Sequence, residues 1–543
     1  MNRFGDTARI AVIGLGPRGL GALEALAEGC PAGTGPIRVD VFDPFPAPGA
    51  GPNFAPDESP LCLLNIPIRD IAIRPPGYSR CGDFADWLAQ DAEPDTFPTR
   101  SDLGRYLQVR LGELLAHEAL SITLIPEPVE GLTRAPDGWR VQAKGARPAP
   151  YDEVLLTPGQ PAVTPDEQWA GWQDHAAHSM AEVHQAYPAT RLIEAAGGWN
   201  GKTVGIRGMG LSAYDVLRCL TTAQGGVFRD GRYIPSGREP ARIVPFSLDG
   251  KPPFPKPETE AIDAWFTPLE GETRAFSMAI EEAAEAAPES ARQRVTEALA
   301  PVASRILAEI GATDRAFDVA AWLQTEWDAA GTQETRGPLD MLHHGIALAE
   351  GTEPPTIGYA VGQVWRKWQD KIRAGFNPAQ TSPETARLLI GFDEGLKRYS
   401  YGPPVSSARE MAALVEAGLA DLNLATDPEI EMCDAGWKLE SKGRRAEVSV
   451  MIDAVLPSPD LATVRDPLIS DLVSKGHLTA AGDDLAASIN PEGQVIGRDG
   501  SVRDGLCLLG RLALGSVIAV DSLHDCFGEA SRRWAQGVLR GLG

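Results

Sequence analysis

Paired cysteines are missing from this sequence. Its seven cysteines, Cys30, Cys62, Cys81, Cys219, Cys433, Cys507 and Cys526, are odd in number and none forms a Cys-x-x-Cys pair. That excludes a dithiol redox motif and argues against a disulfide framework, as in a reducing compartment. His343 and His344 are adjacent rather than one helical turn apart, so no metal site is expected. Cations are scarce: 50 Lys and Arg stand against 74 Asp and Glu, a formal charge of −24. Such a surface repels nucleic-acid phosphates and anionic lipid, which argues against a general role on either. The best apolar stretch, Leu512 to Val520, falls far short of the ~20 residues that span a bilayer. Met1 to Arg9 is polar, without a hydrophobic leader, so a cytoplasmic protein is expected. A Gly-x-Ser-x-Gly nucleophile element is also lacking.

The chain has 543 residues, 43% hydrophobic and 23% charged, an ordinary globular balance with length for two or three domains. Its strongest local signal comes first. Arg9-Ile10-Ala11-Val12-Ile13 is a short β-branched run that predicts a buried parallel strand. It leads into Gly14-Leu15-Gly16-Pro17-Arg18-Gly19, a helix-like stretch from Leu20 to Ala27, and a second strand from Ile37 to Phe42 ending at Asp43. In such a unit the first glycine makes the tight turn, the second lets backbone approach a pyrophosphate, and the third packs helix against strand. Asp43 follows Gly19 by 24 residues, close to the ~20 expected for a ribose-binding carboxylate. The order strand, glycine turn, helix, strand, acid predicts dinucleotide binding.

A second unit follows. Thr203 to Arg207 reads as a strand entering Gly208-Met209-Gly210-Leu211-Ser212-Ala213, then a helix from Tyr214 to Thr222 and a strand from Arg242 to Ser247. Ala213 replaces the third glycine and is still small enough for close packing. Ser212 is placed to donate to a phosphate at the helix start, and Arg207 to meet phosphate or pair with an acid. Two such units in one chain suit a redox flavoprotein, with one site for flavin and one for a nicotinamide donor. Asp152 to Gly159 reads as a strand and glycine turn leaving the first unit. From the proline-rich Lys251 to Pro257 the texture changes: Val295, Leu299, Val302, Ile306 and Ile310 mark one helical face in Ala275 to Gly311, and Trp365, Trp368 and Ile372 another. Both faces are read as core. Glu447 to Val455 alternates as a strand, and the tail is expected to rejoin the first unit.

With these pieces in hand, the chain resembles the bacterial two-dinucleotide FAD/NAD(P)-binding proteins related to class B flavin monooxygenases and amine N-hydroxylases. The resemblance rests on Ile13 to Gly19, Phe42-Asp43-Pro44, Leu63-Leu64-Asn65, Pro98-Thr99-Arg100 with Gly104-Arg105-Tyr106-Leu107, Arg207 to Asp215, and Tyr401-Gly402-Pro403-Pro404. It implies an α/β fold of two Rossmann-like domains, one for FAD and one for NAD(P), with a helical insertion. The expected division is 1–165 with 430–543 for FAD, 166–260 with 399–429 for NAD(P), and 261–398 for the insertion. FAD is expected at Gly14, Gly16, Pro17, Arg18, Gly19, Asp43, Asn65, Arg100, Thr157 and Gly159, and NADPH or NADH at Gly208, Gly210 and Ser212. Arg69 or Arg74 is expected either to bind an anion or to make ordinary ion pairs. Two departures stand out. Thr157-Pro158-Gly159 takes the place of the usual Ala-Thr-Gly, and Ser247-Leu248-Asp249-Gly250-Lys251 carries an acid where an NADP 2′-phosphate would be repelled, leaving Lys251 or Arg242 to serve it.

By this resemblance the chain is an FAD enzyme that draws hydride from NAD(P)H and uses O2 to hydroxylate a small molecule, through a C4a-(hydro)peroxyflavin. The cofactor carries the chemistry, so no side-chain nucleophile is expected. Two other readings are a flavin amine or imino dehydrogenase or oxidase without nicotinamide, and a flavin-bound sensor whose second site is vestigial.

Overall fold

The computed structural model describes residues 8–31, 36–88, 93–312 and 318–542. Residues 1–7 of the polar N-terminal stretch and 313–317 of the expected insertion lie outside the described residues.

The first sheet is built around β1 (Arg9–Ile13), whose Ile10, Ala11 and Val12 are fully buried. After β1 the chain enters helix α1 (Pro17–Gly29) and returns as β2 (Ile37–Phe42), parallel to β1 with Ile10 opposite Val39. Leu120–Ile125 extends the sheet beyond β2. On the other side of β1 lies Glu153–Leu156, then Val502–Leu508, both parallel, and an antiparallel edge strand, Gln494–Ile496. The tail therefore rejoins the first unit as expected. Because the connections from β1 go to opposite sides, a crevice opens at its carboxyl end, where α1 begins.

The second sheet is wholly parallel, in the order Arg242–Phe246, Thr203–Arg207, Val450–Asp453, Glu182–Gln185. The stretch Glu447 to Val455 is not one strand of the first domain. Arg444–Val448 closes a three-stranded antiparallel sheet with Glu429–Cys433 and Gly436–Ser441, and Val450–Asp453 occupies an inner position of the second parallel sheet. Val450, Met451 and Ile452 are fully buried there, and period-2 alternation cannot reveal that the chain changes sheets at Ser449. Val450–Asp453 thus lies in the second sheet, not the first. The division we propose is 1–165 with 456–543, 166–260 with 399–455, and 261–398.

The described part of 261–398 is helical. The expected helix from Ala275 to Gly311 is two helices, Glu270–Ala284 and Pro288–Glu309, with Pro288 at the start of the second. Val295, Leu299, Val302 and Ile306 are buried along it, and Trp365, Trp368 and Ile372 are core as well. Phe276 stacks on Trp368 at 4.0 Å between centroids, and Trp365 Nε1 donates to Asp393 at 2.7 Å. Among the described residues no helix is long and apolar enough to cross a membrane.

α1 is held against the helix Arg100–Leu115 by a buried ion pair. The Arg110 guanidinium donates to both carboxylate oxygens of Glu24, at 2.9 and 2.5 Å, and to the Ile73 carbonyl at 2.7 Å. Replacing Glu24 by Ala strands a buried guanidinium, and the expected cost is ~3–5 kcal/mol of folding free energy. Urea unfolding measures it; an unchanged midpoint would show that the pair contributes nothing.

Candidate active site

Both glycine turns open on one cavity of about 1920 Å³, lined by both nucleotide units, the proline-rich segment, the insertion and the C-terminal segment. The five motif glycines divide into two kinds. Gly14 has φ +93°, and a Cβ on it would lie 2.4 Å from the Thr157 carbonyl oxygen; one on Gly19 would lie 2.6 Å from the Gly14 oxygen. Gly208 likewise has φ +105° and abuts the Ala454 backbone at 3.1 Å. The fold itself requires glycine at these three.

Gly16 and Gly210 are different. Their backbones are ordinary extended ones, φ −82° and −75°. A Cβ on Gly16 would meet only the Gly51 Cα, at 3.8 Å, and one on Gly210 would meet nothing within 4 Å. Neither conformation nor packing asks for glycine here, and both backbones are left open to a group approaching from the cavity. Each of these glycines is the N-cap of its helix, with no side-chain cap and no acid in the first turn. The free N–H groups and positive dipole end of α1, and of the helix Leu211–Leu220, are therefore left for an anion. A dinucleotide pyrophosphate fits both.

The remaining expected residues fall as follows. Pro17 starts α1, where its missing N–H costs nothing. Asp43 turns toward the glycine loop, accepting from the Leu15 N–H at 2.6 Å and the Phe45 N–H at 2.8 Å, and lines the cavity at the end of β2. Thr157 donates to the Gly14 carbonyl at 2.6 Å, which ties the Thr157-Pro158-Gly159 turn to the first glycine turn. Gly159 lies open beside it. Asn65 lines the cavity, its amide 3.5 Å from the Tyr401 carbonyl. Ser212 lies in the first turn of the second glycine helix and also faces the cavity.

Arg18 and Arg100 line the cavity but have protein partners. Arg18 binds the Asp525 carboxylate at 2.6 Å and the carbonyls of Asp525 and Val520, so its charge anchors the C-terminal segment. Arg100 pairs with Asp215 at 2.9 Å and with the Tyr187 hydroxyl at 2.9 Å, while Tyr187 donates to Asp215 at 2.6 Å. Arg207 pairs with Asp453 and Asp166. Of the cations considered for a 2′-phosphate, Arg242 is bound to Asp421 and does not line the cavity, and Lys251 donates to the Gly331 carbonyl at 3.0 Å. The acid at Asp249 is neutralised by Arg398 of the insertion at 2.6 Å. Arg69 lines the cavity and pairs with Asp95, whereas Arg74 is exposed.

Sequence reasoning missed the charge of the cavity as a whole. In a chain of net −24, fifteen lysines and arginines but only nine aspartates and glutamates line it. Most come from segments read only as linker, helical core or tail: Lys256, Arg366, Lys371, Arg373, Arg511, Arg533. Burial and the neighbouring Arg366 push the Lys256 ammonium down to about 7, against the pull of Asp70 and Asp263. His524 also lines the cavity, its imidazole held below the usual range by burial and by Arg373. The visible signal is the pair of lysines, Lys251 and Lys256, in the proline-rich run.

Residues 11–161 match a family of FAD-NAD(P)-binding domains. An L-aspartate N-monooxygenase (nitrosuccinate-forming) of Streptomyces davaonensis is 26% identical, over 86% of this chain and 85% of its own. A nitrosuccinic acid synthase of Aspergillus oryzae is 25% identical, over 87% of this chain and 82% of its own. The ornithine N-hydroxylase of Kutzneria sp. 744, solved with reduced FAD, NADP+ and L-ornithine, shares the fold at TM-score 0.50 and 13% identity, over 98% of this chain and 99% of its own.

A valine at Gly16 keeps the fold but fills the place of the pyrophosphate, and is expected to weaken FAD at least ~10-fold, about 1.4 kcal/mol. Gly210→Val should keep its flavin and lose reduction by NADPH and NADH alike. Flavin content and stopped-flow bleaching read both. Full flavin in the first variant, or wild-type bleaching in the second, would remove that turn from the site.

Proposed function

Starting from an FAD- and NAD(P)H-dependent oxidoreductase on the two-dinucleotide flavin monooxygenase fold, we propose that this chain is an N-monooxygenase of a small acidic amine, L-aspartate or a close analogue. The observation that carries the reading is the single cationic cavity onto which both uncapped glycine helices open. Two pyrophosphates and a dicarboxylate are all anions, and a cavity with excess positive charge in an acidic protein suits all three. The relatives named as L-aspartate N-monooxygenases, similar over more than four-fifths of each chain, support the substrate class.

FAD, when bound and reduced by NAD(P)H, would supply the electrons that activate O2 for oxygenation of an amine nitrogen. The protein's own residues bind and orient. The α1 N-terminus with Gly16 would hold the FAD pyrophosphate, and Asp43 the adenosine ribose. The Leu211–Leu220 N-terminus with Gly210 and Ser212 would hold the nicotinamide dinucleotide. Arg100, Tyr187 and Asp215 keep the two units at a set distance, so that donor and acceptor rings can meet without a search. The insertion and the C-terminal segment wall the cavity.

Mixing holoenzyme with NADPH or NADH, O2 and L-aspartate tests this. Flavin bleaching, O2 consumption and an N-oxygenated product that depends on aspartate are expected. Bleaching by the amine alone, without nicotinamide, would favour the dehydrogenase instead. No bleaching by either would leave the sensor.

A further inference from the structure

We infer that Lys256, flanked by Arg69 and Arg366, is the binding site for a carboxylate of the substrate, an inference that rests on the acidic-amine reading above and names its recognition residues. Lys256 is only 6% exposed yet lines the cavity. Its ammonium donates to the Asn65 carbonyl, and among the described residues no carboxylate lies within ion-pair distance of it. The cations around it are already bound. Arg69 pairs with Asp95 and reaches the Pro257 carbonyl at 3.2 Å, next in the chain to Lys256. Arg366 pairs with Asp70 at 3.1 Å and with Asp263, which Lys367 also shares. Four cations thus face three aspartates.

The surplus charge is the lysine's. A buried cation without a counter-ion is unfavourable, and an ammonium using one of its three donors on a neutral carbonyl leaves hydrogen-bonding capacity unspent. Arg69 adds a second sign: its side chain is 8% exposed and lines the cavity, and its Nε is buried with no partner. A carboxylate entering between these groups supplies the missing negative charge and acceptor oxygens. The residues come from the first domain, the proline-rich segment and the insertion, and belong to neither of the glycine turns read as the pyrophosphate sites.

Succinate, with two carboxylates and no amine, is the probe. Titrated into FAD-loaded protein, it should raise the thermal midpoint and perturb flavin fluorescence, and succinamide should do neither. In Lys256→Met, succinate should bind at least ~10-fold more weakly, as when one partner of a buried charge pair is truncated, and KM for aspartate should rise more than kcat falls. Lys256→Arg should retain most of the affinity. Because the methionine removes an uncompensated buried charge, the ligand-free midpoint at pH 6 should hold or rise; a merely structural lysine would lower it. Unchanged succinate affinity in Lys256→Met overturns the assignment. So does wild-type protein that binds succinamide as well as succinate, a result that stands even if the methionine variant fails to fold. If succinate binds through Lys256 but aspartate is not oxygenated, the proposed function fails and the carboxylate site remains.

Discussion

Arg100 opens the helix Arg100–Leu115 in the first unit, and its guanidinium reaches Asp215 in the second unit's glycine helix. The pair is largely buried, with side-chain exposures of 18% and 6%, and Tyr187 bridges it. Breaking such a pair leaves an uncompensated charge and costs ~3–5 kcal/mol. It also couples two sheets that otherwise have separate cores. A hydride can pass between two bound rings only if both helix N-termini address one cavity, and this contact holds them to that arrangement. The Ser212 and Gly210 turn takes its position relative to α1 from it.

The C-terminal segment makes a second constraint of the same sort. Arg18, at the start of α1, is fastened to Asp525 and to the carbonyls of Asp525 and Val520. The residues that follow form the last helix, Glu529–Leu542, whose Trp534, Ala535 and Val538 pack in the core that holds α1. The motif arginine thereby closes the first domain, and the uncapped backbone N–H groups of the turn remain open to the cavity.

Charge is distributed against the composition. The surface is strongly acidic, whereas the cavity gathers cations from every part of the chain. Most of them are neutralised by a nearby aspartate: Arg100 by Asp215, Arg366 by Asp70 and Asp263, Arg398 by Asp249. Paired cations shape most of the wall; Lys256 is buried and, among the described residues, without a carboxylate partner, so its environment asks for a ligand.

What the sequence determined by itself is local. The β-branched strands at Arg9–Ile13 and Thr203–Arg207, the glycine spacing, the acid at Asp43 and the small Ala213 are short-range patterns, and each lies within one strand–turn–helix unit. Those patterns were enough for two dinucleotide folds and for the turn at each. Only the tertiary structure decided matters that join distant segments. Val450–Asp453 enters the second sheet 246 residues after its neighbour Thr203–Arg207, as the Arg207–Asp453 pair records. Arg100 meets Asp215 across 115 residues, and Lys256 meets Asn65 across 191. Period and spacing report which face of an element is apolar, but not which other element covers it. Whether a cation is paired, and so whether it can bind a ligand, depends on partners that come from elsewhere in the chain.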